Sequence, residues 1–347
     1  MNHPDQEKQV VAGNDGARLG PIRKLMAKDM KAFYSHYKDG LRSGVFAIDQ
    51  VAAYLLRSRG KGLRPMLTLL CVRACGANGN LTERSLSAAL VVEMLHTASL
   101  VHDDVVDRAD ERRGRKTLNL VYNNKVAVLF GDFMLSRALA GMFAQRRFEV
   151  LDLFSDCAFR LSRGELVEAI GSRKLDLDKP KYFTMVSDKT ASLISAACQM
   201  APLSLDKDEF RDPLRKYGEL LGIAFQIRDD LLDLGDGGPR IGKPLGLDMS
   251  QAKLTLPLIH TLEQLKQTDK RRVLAKLRKA KRYSKKGQII DLKDILDLIH
   301  STGGISYARG VAADYASKAV LALEPLPQSI YLDNLKLFAH YAAERNR

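Results

Sequence analysis

Two clusters of acidic residues share one spacing. His102-Asp103-Asp104-Val105-Val106-Asp107 and Asp229-Asp230-Leu231-Leu232-Asp233 both contain the pattern D-D-x-x-D. On a helix the first and last aspartates of each lie one turn apart on one face, their Cα atoms about 6 Å apart. Three carboxylates in five residues, beside valine or leucine, are costly unless a cation or basic partners compensate. Magnesium suits this, because it is usually held by one or two carboxylates, waters and a substrate's phosphate oxygens. A single cluster reads equally well as a solvated acidic helix face. Two identical ones, each set in an apolar helix (SLVHDDVVD and FQIRDDLLDL), do not, since an exposed acidic face would not be flanked by uniformly apolar neighbours. Asp103, Asp104, Asp107, Asp229, Asp230 and Asp233 are therefore the catalytic candidates. Two such walls would form a Lewis-acid clamp around a diphosphate leaving group.

Basic side chains would complete that clamp. Lys61 and Arg64 stand in Arg59-Gly60-Lys61-Gly62-Leu63-Arg64-Pro65. There glycine permits close approach of an anion, lysine supplies a point charge and arginine a planar fork. The loop Arg112-Arg113-Gly114-Arg115-Lys116 follows the first cluster closely. It could merely neutralise the acidic helix, or its adjacent arginines could serve two different diphosphates. Lys189, Thr190, Gln226, Lys243 and Lys253 are uninformative by themselves, and His96 alone reads as a packed helix histidine.

The elements that must position these residues are helices. Apolar residues recur at three and four, as in Leu86, Leu90, Met94 and in Leu214, Tyr217, Leu221, Phe225. Thr82 and Pro180 are helix starts, whereas Gly76–Asn80, Asp110–Lys116 and Gly235–Gly246 are breaks. The spacing predicts one all-α domain of about a dozen helices over residues 20–347, after a polar, disordered tail at 1–19. The segment Leu118–Met142 is apolar over more than one face, which predicts burial within a bundle or the lining of an apolar cavity.

The chain has 347 residues, 46% hydrophobic and 28% charged, enough for a sizeable core. Its start lacks a signal-peptide core and no uninterrupted apolar run reaches a membrane span, so a cytoplasmic protein is expected. Cys71, Cys75, Cys157 and Cys198 show no metal-ligand spacing and read as packing residues. Eleven of the cations behind a net charge of +14 fall between Lys266 and Lys286, against the single acid Asp269. That segment is a solvated helix face or a contact for anionic lipid. Nucleic acid is not expected, because no recognition motif or aromatic interleaving accompanies the charge.

The segments GKGLRP, EMLHTASLVHDDVVD, RRG, GDFMLSRA, GE, KTA, YGELLGIAFQIRDDLLD, GKPLGLD and KLTLPLI occur in collinear order. With them the chain resembles the trans-isoprenyl diphosphate synthases from about residue 20 onward, and HTASLVHDDVVD is similar to the long-chain branch that makes octaprenyl or heptaprenyl diphosphate. The resemblance implies helices around a central apolar cavity, usually in a homodimer. It also implies three magnesium ions per site, with manganese an alternative. Asp103, Asp107 and Asp229 would be the ligands, supported by Asp104, Asp230 and Asp233. Lys61, Arg64, His96 and Arg113 would hold isopentenyl diphosphate; Arg112, Lys189, Thr190, Gln226, Lys243 and Lys253 would hold the allylic diphosphate, expected to be farnesyl or geranylgeranyl diphosphate. Gly62, Lys116, Ala252 and Glu168 depart from the commonest pattern of that family.

The expected chemistry is ionisation, condensation and proton elimination. Small Ala98 and Ser99, one turn before Asp103, would leave a tunnel open for the growing tail, with Leu95 and Met142 as floor candidates and a medium-to-long product. Quinone side chains are the family's usual destination, and the basic segment would then touch an anionic membrane. A short-chain farnesyl or geranylgeranyl synthase is the nearest alternative. A terpene cyclase lacks the second diphosphate site, and a non-catalytic partner subunit would not keep both aspartate clusters complete.

Overall fold

The computed structural model describes residues 15–58, 60–176, 178–237, 246–284, 288 and 290–346. The first half comprises α1 (Asp15–Leu25), α2 (Ala27–Gly40), α3 (Phe46–Arg57), α4 (Leu63–Ala74), α5 (Glu83–Val106), α6 (Leu118–Tyr122), α7 (Asn124–Ala144) and α8 (Phe148–Lys174). There follow α9 (Lys179–Val186), a π turn at Ser187–Ala191, α10 (Ser192–Leu205), α11 (Arg211–Asp233), α12 (Leu247–Ser250) and α13 (Leu256–Gln264). The chain closes with α14 (Gln267–Ser284), α15 (Lys293–Ser301), α16 (Gly304–Ala322) and α17 (Ile330–Glu344). The all-helical architecture is the one expected. Among the described residues its helices outnumber the expected dozen because breaks at Met26 and at Asn123, whose side chain caps α7, separate neighbouring helices, and because α6 and α12 are short. The expected tail at 1–19 lies mostly outside the described residues, but its last residues belong to α1, which begins at Asp15, and Leu19 is buried.

The helix starts rest on capping. Thr82 Oγ1 accepts from the Ser85 amide at 3.2 Å and Asp178 Oδ1 from the Lys181 amide at 2.9 Å. The middle of the bundle is α10, buried from Ser192 to Ser204, with α4, α5, α8 and α11 packed around it. Glycine sets the closest of these approaches: a Cβ on Gly218 of α11 would lie 2.5 Å from the Ser195 Cα. A buried ion pair ties α2 to α4, Arg73 Nε donating to Asp29 at 2.8 Å. All four cysteines are buried and unbridged, as packing residues should be.

α7 corrects the reading of Leu118–Met142. It packs along α5 with Phe130, Met134, Ala138 and Met142 buried, but Val128, Leu129, Leu139 and Phe143 are exposed on the opposite face. An apolar all-round sequence here marks one face in the core and one unpartnered, rather than full burial.

Candidate active site

Both acidic clusters sit at the C-terminal ends of long helices, α5 and α11. Helix C-termini carry the negative end of the dipole, so carboxylates there cost stability. Asp103 lies in the last turn of α5, and the Asp107 amide caps it by donating to the Asp103 carbonyl at 2.8 Å. The Asp103 carboxyl is pushed up to about 6, chiefly by burial and then by Glu165, while Lys189 pulls it down. Asp104 is buried and accepts from Arg112 Nε at 2.7 Å.

On α11, Asp230 is buried and doubly bonded: Tyr182 Oη donates at 2.7 Å and Gln226 Nε2 at 2.9 Å. Thr190 Oγ1 in turn donates to Gln226 Oε1 at 2.7 Å. Burial, then Asp248, pushes the Asp230 carboxyl up to about 8 against those hydrogen bonds. Asp233 Oδ2 accepts the Asp248 amide at 3.0 Å, which fastens the start of α12 to the cluster. Asp229 is paired with Arg345 at 2.5 Å. Arg345 stacks 3.8 Å above the Phe225 ring, and its carbonyl accepts from Arg228 Nε at 2.6 Å.

A cavity of about 160 Å³ opens beside the second cluster. Lys189, Thr190, Gln226 and Lys253 line it together with Glu168 and Asp230. Lys189 and Thr190 come from the π turn, a local widening that recurs at functional positions. Gly164 permits it, since a Cβ there would lie 2.6 Å from the Lys189 amide nitrogen. Lys253 follows Ala252, whose φ of 57° is left-handed, a conformation that glycine adopts at less cost. Lys189 bonds Glu165 at 3.0 Å and also Glu168, and Lys253 lies 3.2 Å from Glu168. Burial works against the Lys189 ammonium, but Glu168 and Glu165 hold it above its usual range.

A second cavity, about 60 Å³, lies beside the first cluster and is lined by Gly60, Glu93, His96, Arg112 and Arg113 among others. The basic loop forms a hairpin here, β1 (Glu111–Arg112) pairing with β2 (Arg115–Lys116). Arg113 and Gly114 both have positive φ (55° and 72°), as a two-residue hairpin turn requires. The turn sends Arg113 over Gly60, where a Cβ would meet the guanidinium carbon at 2.5 Å. Arg64 Nη1 donates to His96 Nε2 at 2.9 Å. Burial and then Arg64 hold His96 well below its usual pKa, so the ring is neutral and accepts. Among the described residues Arg64 Nε is buried without a partner, a donor that an anion could use. Lys61 lies exposed on the loop before α4. Gly62 has φ 62°, a left-handed conformation that favours glycine, and a Cβ there would meet Tyr34 Oη at 2.4 Å.

The two walls share one electrostatic space. Lys189 acts on Asp103 and lines the first cavity with Asp230, while Arg64, beside His96, feels Asp229. Among the described residues no three carboxylate, histidine or cysteine side chains already converge on one point. A hard cation held there would be completed by water and substrate oxygens. Carboxyl groups held above their usual range by burial are those a cation would bring back down.

Of the expected diphosphate ligands, Arg112 lines the second cavity rather than the first, and Lys243 lies outside the described residues. Ala98, Leu95 and Met142 are buried in the core that α5 and α7 share, and Ser99 Oγ donates to the His96 carbonyl at 2.8 Å. Four further site residues are not among the sequence-predicted ones: Glu93, Tyr182, Asp248 and Arg345. Glu93 and Asp248 stand at the ends of the segments EMLHTASLVHDDVVD and GKPLGLD and could have been found there, whereas Tyr182 and Arg345 carry no sequence signal.

Comparison with known proteins agrees with this geometry. Residues 46–296 match the family model described as Polyprenyl synthetase. The chain is 33% identical over 330 residues to an octaprenyl diphosphate synthase of Escherichia coli K12, covering 95% of this chain and 99% of that one. A decaprenyl diphosphate synthase structure from Rhodobacter capsulatus superposes with a TM-score of 0.84 at 32% identity, covering 94% and 99%. A polyprenyl synthase from Caulobacter crescentus CB15, solved with calcium and isoprenyl diphosphate, gives 0.81 at 29%, covering 95% and 98%.

Proposed function

The chain belongs to the polyprenyl synthetase family and is a trans-prenyltransferase, and from that premise we propose that it condenses an allylic diphosphate with successive isopentenyl diphosphates into a medium-to-long all-trans polyprenyl diphosphate. The observation that carries this is the pair of cavities, one beside each aspartate cluster, each supplied with its own cations. A terpene cyclase would need only one.

We assign the allylic diphosphate to the cavity of Lys189, Thr190, Gln226 and Lys253. Isopentenyl diphosphate is assigned to Lys61, Arg64, His96 and Arg113, and Arg112 lines that same second cavity. Magnesium, held by Asp103, Asp107 and Asp229 in up to three ions, would supply Lewis-acid neutralisation of the leaving diphosphate. Lys189 and Lys253 stabilise the charge that develops as the allylic carbon–oxygen bond breaks. His96 and Arg64 orient isopentenyl diphosphate so that its double bond faces the resulting allylic cation. The new carbon–carbon bond forms, and the adjacent proton leaves to the departed diphosphate. Apolar walls keep out water that would quench the cation.

The tail is proposed to run past Ala98 between α5 and α7. Those helices close on one another where a Cβ on Gly141 would meet Val91 at 2.7 Å. Val91 lies twelve residues before Asp103, about 18 Å along α5, which favours a product several units long. The exposed apolar face of α7 supports a homodimer. Incubating purified enzyme with magnesium, isopentenyl and farnesyl diphosphates tests the product. Chains longer than geranylgeranyl diphosphate support the proposal; a stop at or below that length restores the short-chain alternative.

A further inference from the structure

The strongest charge concentration lies outside the site, and the aspartate chemistry does not use it. α14 is amphipathic: Val273, Leu277 and Ala280 are buried and fix its orientation. Its inward-leaning cations are occupied, Lys276 by Asp294 at 2.5 Å and Lys281 by the Ser172 carbonyl at 3.0 Å. The opposite face presents Arg271, Arg272, Arg278, Lys279 and Arg282, all exposed. Its one acid, Asp269, lies 3.9 Å from Arg272. Among the described residues, Arg271, Arg278 and Arg282 have no acidic partner.

Two contacts place this face beside the catalytic mouth. Ser172, which receives Lys281, lines the first cavity with Glu168 and Lys189. α14 also packs on α12, whose Asp248 lines the same cavity. Next to it runs a mainly apolar groove of about 330 Å³, where Leu247, Met249, Ile290 and Leu296 lie alongside Asp291 and Lys293. Leu247 is 38% exposed.

We propose that the outward face of α14 docks the protein on an anionic lipid surface, with the first cavity next to the bilayer. An unneutralised row of arginine and lysine on a single helix is attracted to acidic headgroups over about a Debye length. The groove adds apolar surface beside α14, with Leu247 its exposed side chain, of the kind that interfacial segments bury among headgroups. A nucleic acid fits less well: the helix's only aromatic ring, Tyr283, is half-buried with Lys279 5.8 Å above its centre, so it offers no stacking platform for bases. The proposal stands on this surface alone and is tested without substrate.

The test is flotation of the full-length protein with vesicles of phosphatidylcholine alone or with about 30% phosphatidylglycerol, at about 0.05 M and 0.5 M salt. The expected result is at least about tenfold more protein bound to the acidic vesicles at low salt, lost at high salt. The combined variant Arg271→Gln, Arg272→Gln, Arg278→Gln, Lys279→Gln, Arg282→Gln should lose that binding and keep its condensation activity in solution. No binding of the wild type to acidic vesicles at low salt overturns the proposal. So does undiminished binding by the variant, or binding to duplex or single-stranded nucleic acid with none to vesicles.

Discussion

Glu168 holds both lysines assigned to the allylic diphosphate, and replacing it with glutamine is the most informative single perturbation of affinity. Its side chain is only 17% exposed. Burial disfavours its charge, yet Lys189 and Lys253 keep it ionised. At 3.2 Å from Lys253, two unit charges interact by about 5 kcal/mol at an effective dielectric of about 20. Solvent reaches both lysines, which are 28% and 31% exposed. The net value therefore falls to that of a charged hydrogen bond, about 1.5–3 kcal/mol. An incoming diphosphate must displace this carboxylate, so Glu168→Gln removes a competitor rather than a ligand. The KM for the allylic diphosphate should fall by about tenfold or more, with kcat unchanged or lower, because ground state and transition state gain alike. Steady-state kinetics with farnesyl diphosphate varied at saturating isopentenyl diphosphate measure it. A raised KM would show that Glu168 helps to bind the substrate and would refute the assignment.

Three further outcomes follow from the geometry. The folded-state pKa of Asp103 lies above the ordinary carboxylate value, so the metal-free fold loses stability as pH rises from about 4 to 6 and stays penalised above it. Asp103→Asn should therefore raise the metal-free Tm by about 2–6 °C at pH 7.5 and hardly at all near pH 4; a pH-independent difference between the two melting curves would contradict this. Ala98→Phe, placed between α5 and α7, should shorten the product by at least one isoprene unit, and an unchanged chain-length distribution on chromatography would move the tunnel elsewhere. Asp29→Ala leaves Arg73 buried and unpaired between α2 and α4, so urea denaturation should show a loss of about 3–5 kcal/mol; a loss under 1 kcal/mol would mean that water reaches the guanidinium.

What the sequence revealed depended on whether a residue's role is local. The D-D-x-x-D spacing is a helix-face property, so Asp103 with Asp107 and Asp229 with Asp233 could be paired from the sequence alone. The helical class was equally legible, because apolar spacing at three and four is imposed by burial of one face. The segment of α7 differs for the same reason: its composition is apolar on every face, and only the structure shows that one apolar face packs on α5 while the other is exposed. Arg113 was visible as a cation, but its position depends on a left-handed turn and on the space above Gly60. Arg345 was invisible, because its pairing with Asp229 arises only when α17 returns to the end of α11. Glu168 was noticed as a departure, and only the structure connects it with Lys189 and Lys253. Long-range pairings of charge are set by packing, and their residue types alone do not announce them.

The central claim is that aspartates from two helices act on one diphosphate. Single-turnover condensation rates for Asp103→Ala, Asp229→Ala and the double variant test it most directly. Each single change should lower the rate by about 10²–10³, and the double variant should be little slower than the worse single one, since either loss already opens the shared clamp. Near-normal turnover in either single variant, or a double variant slowed by the product of the two, would contradict it.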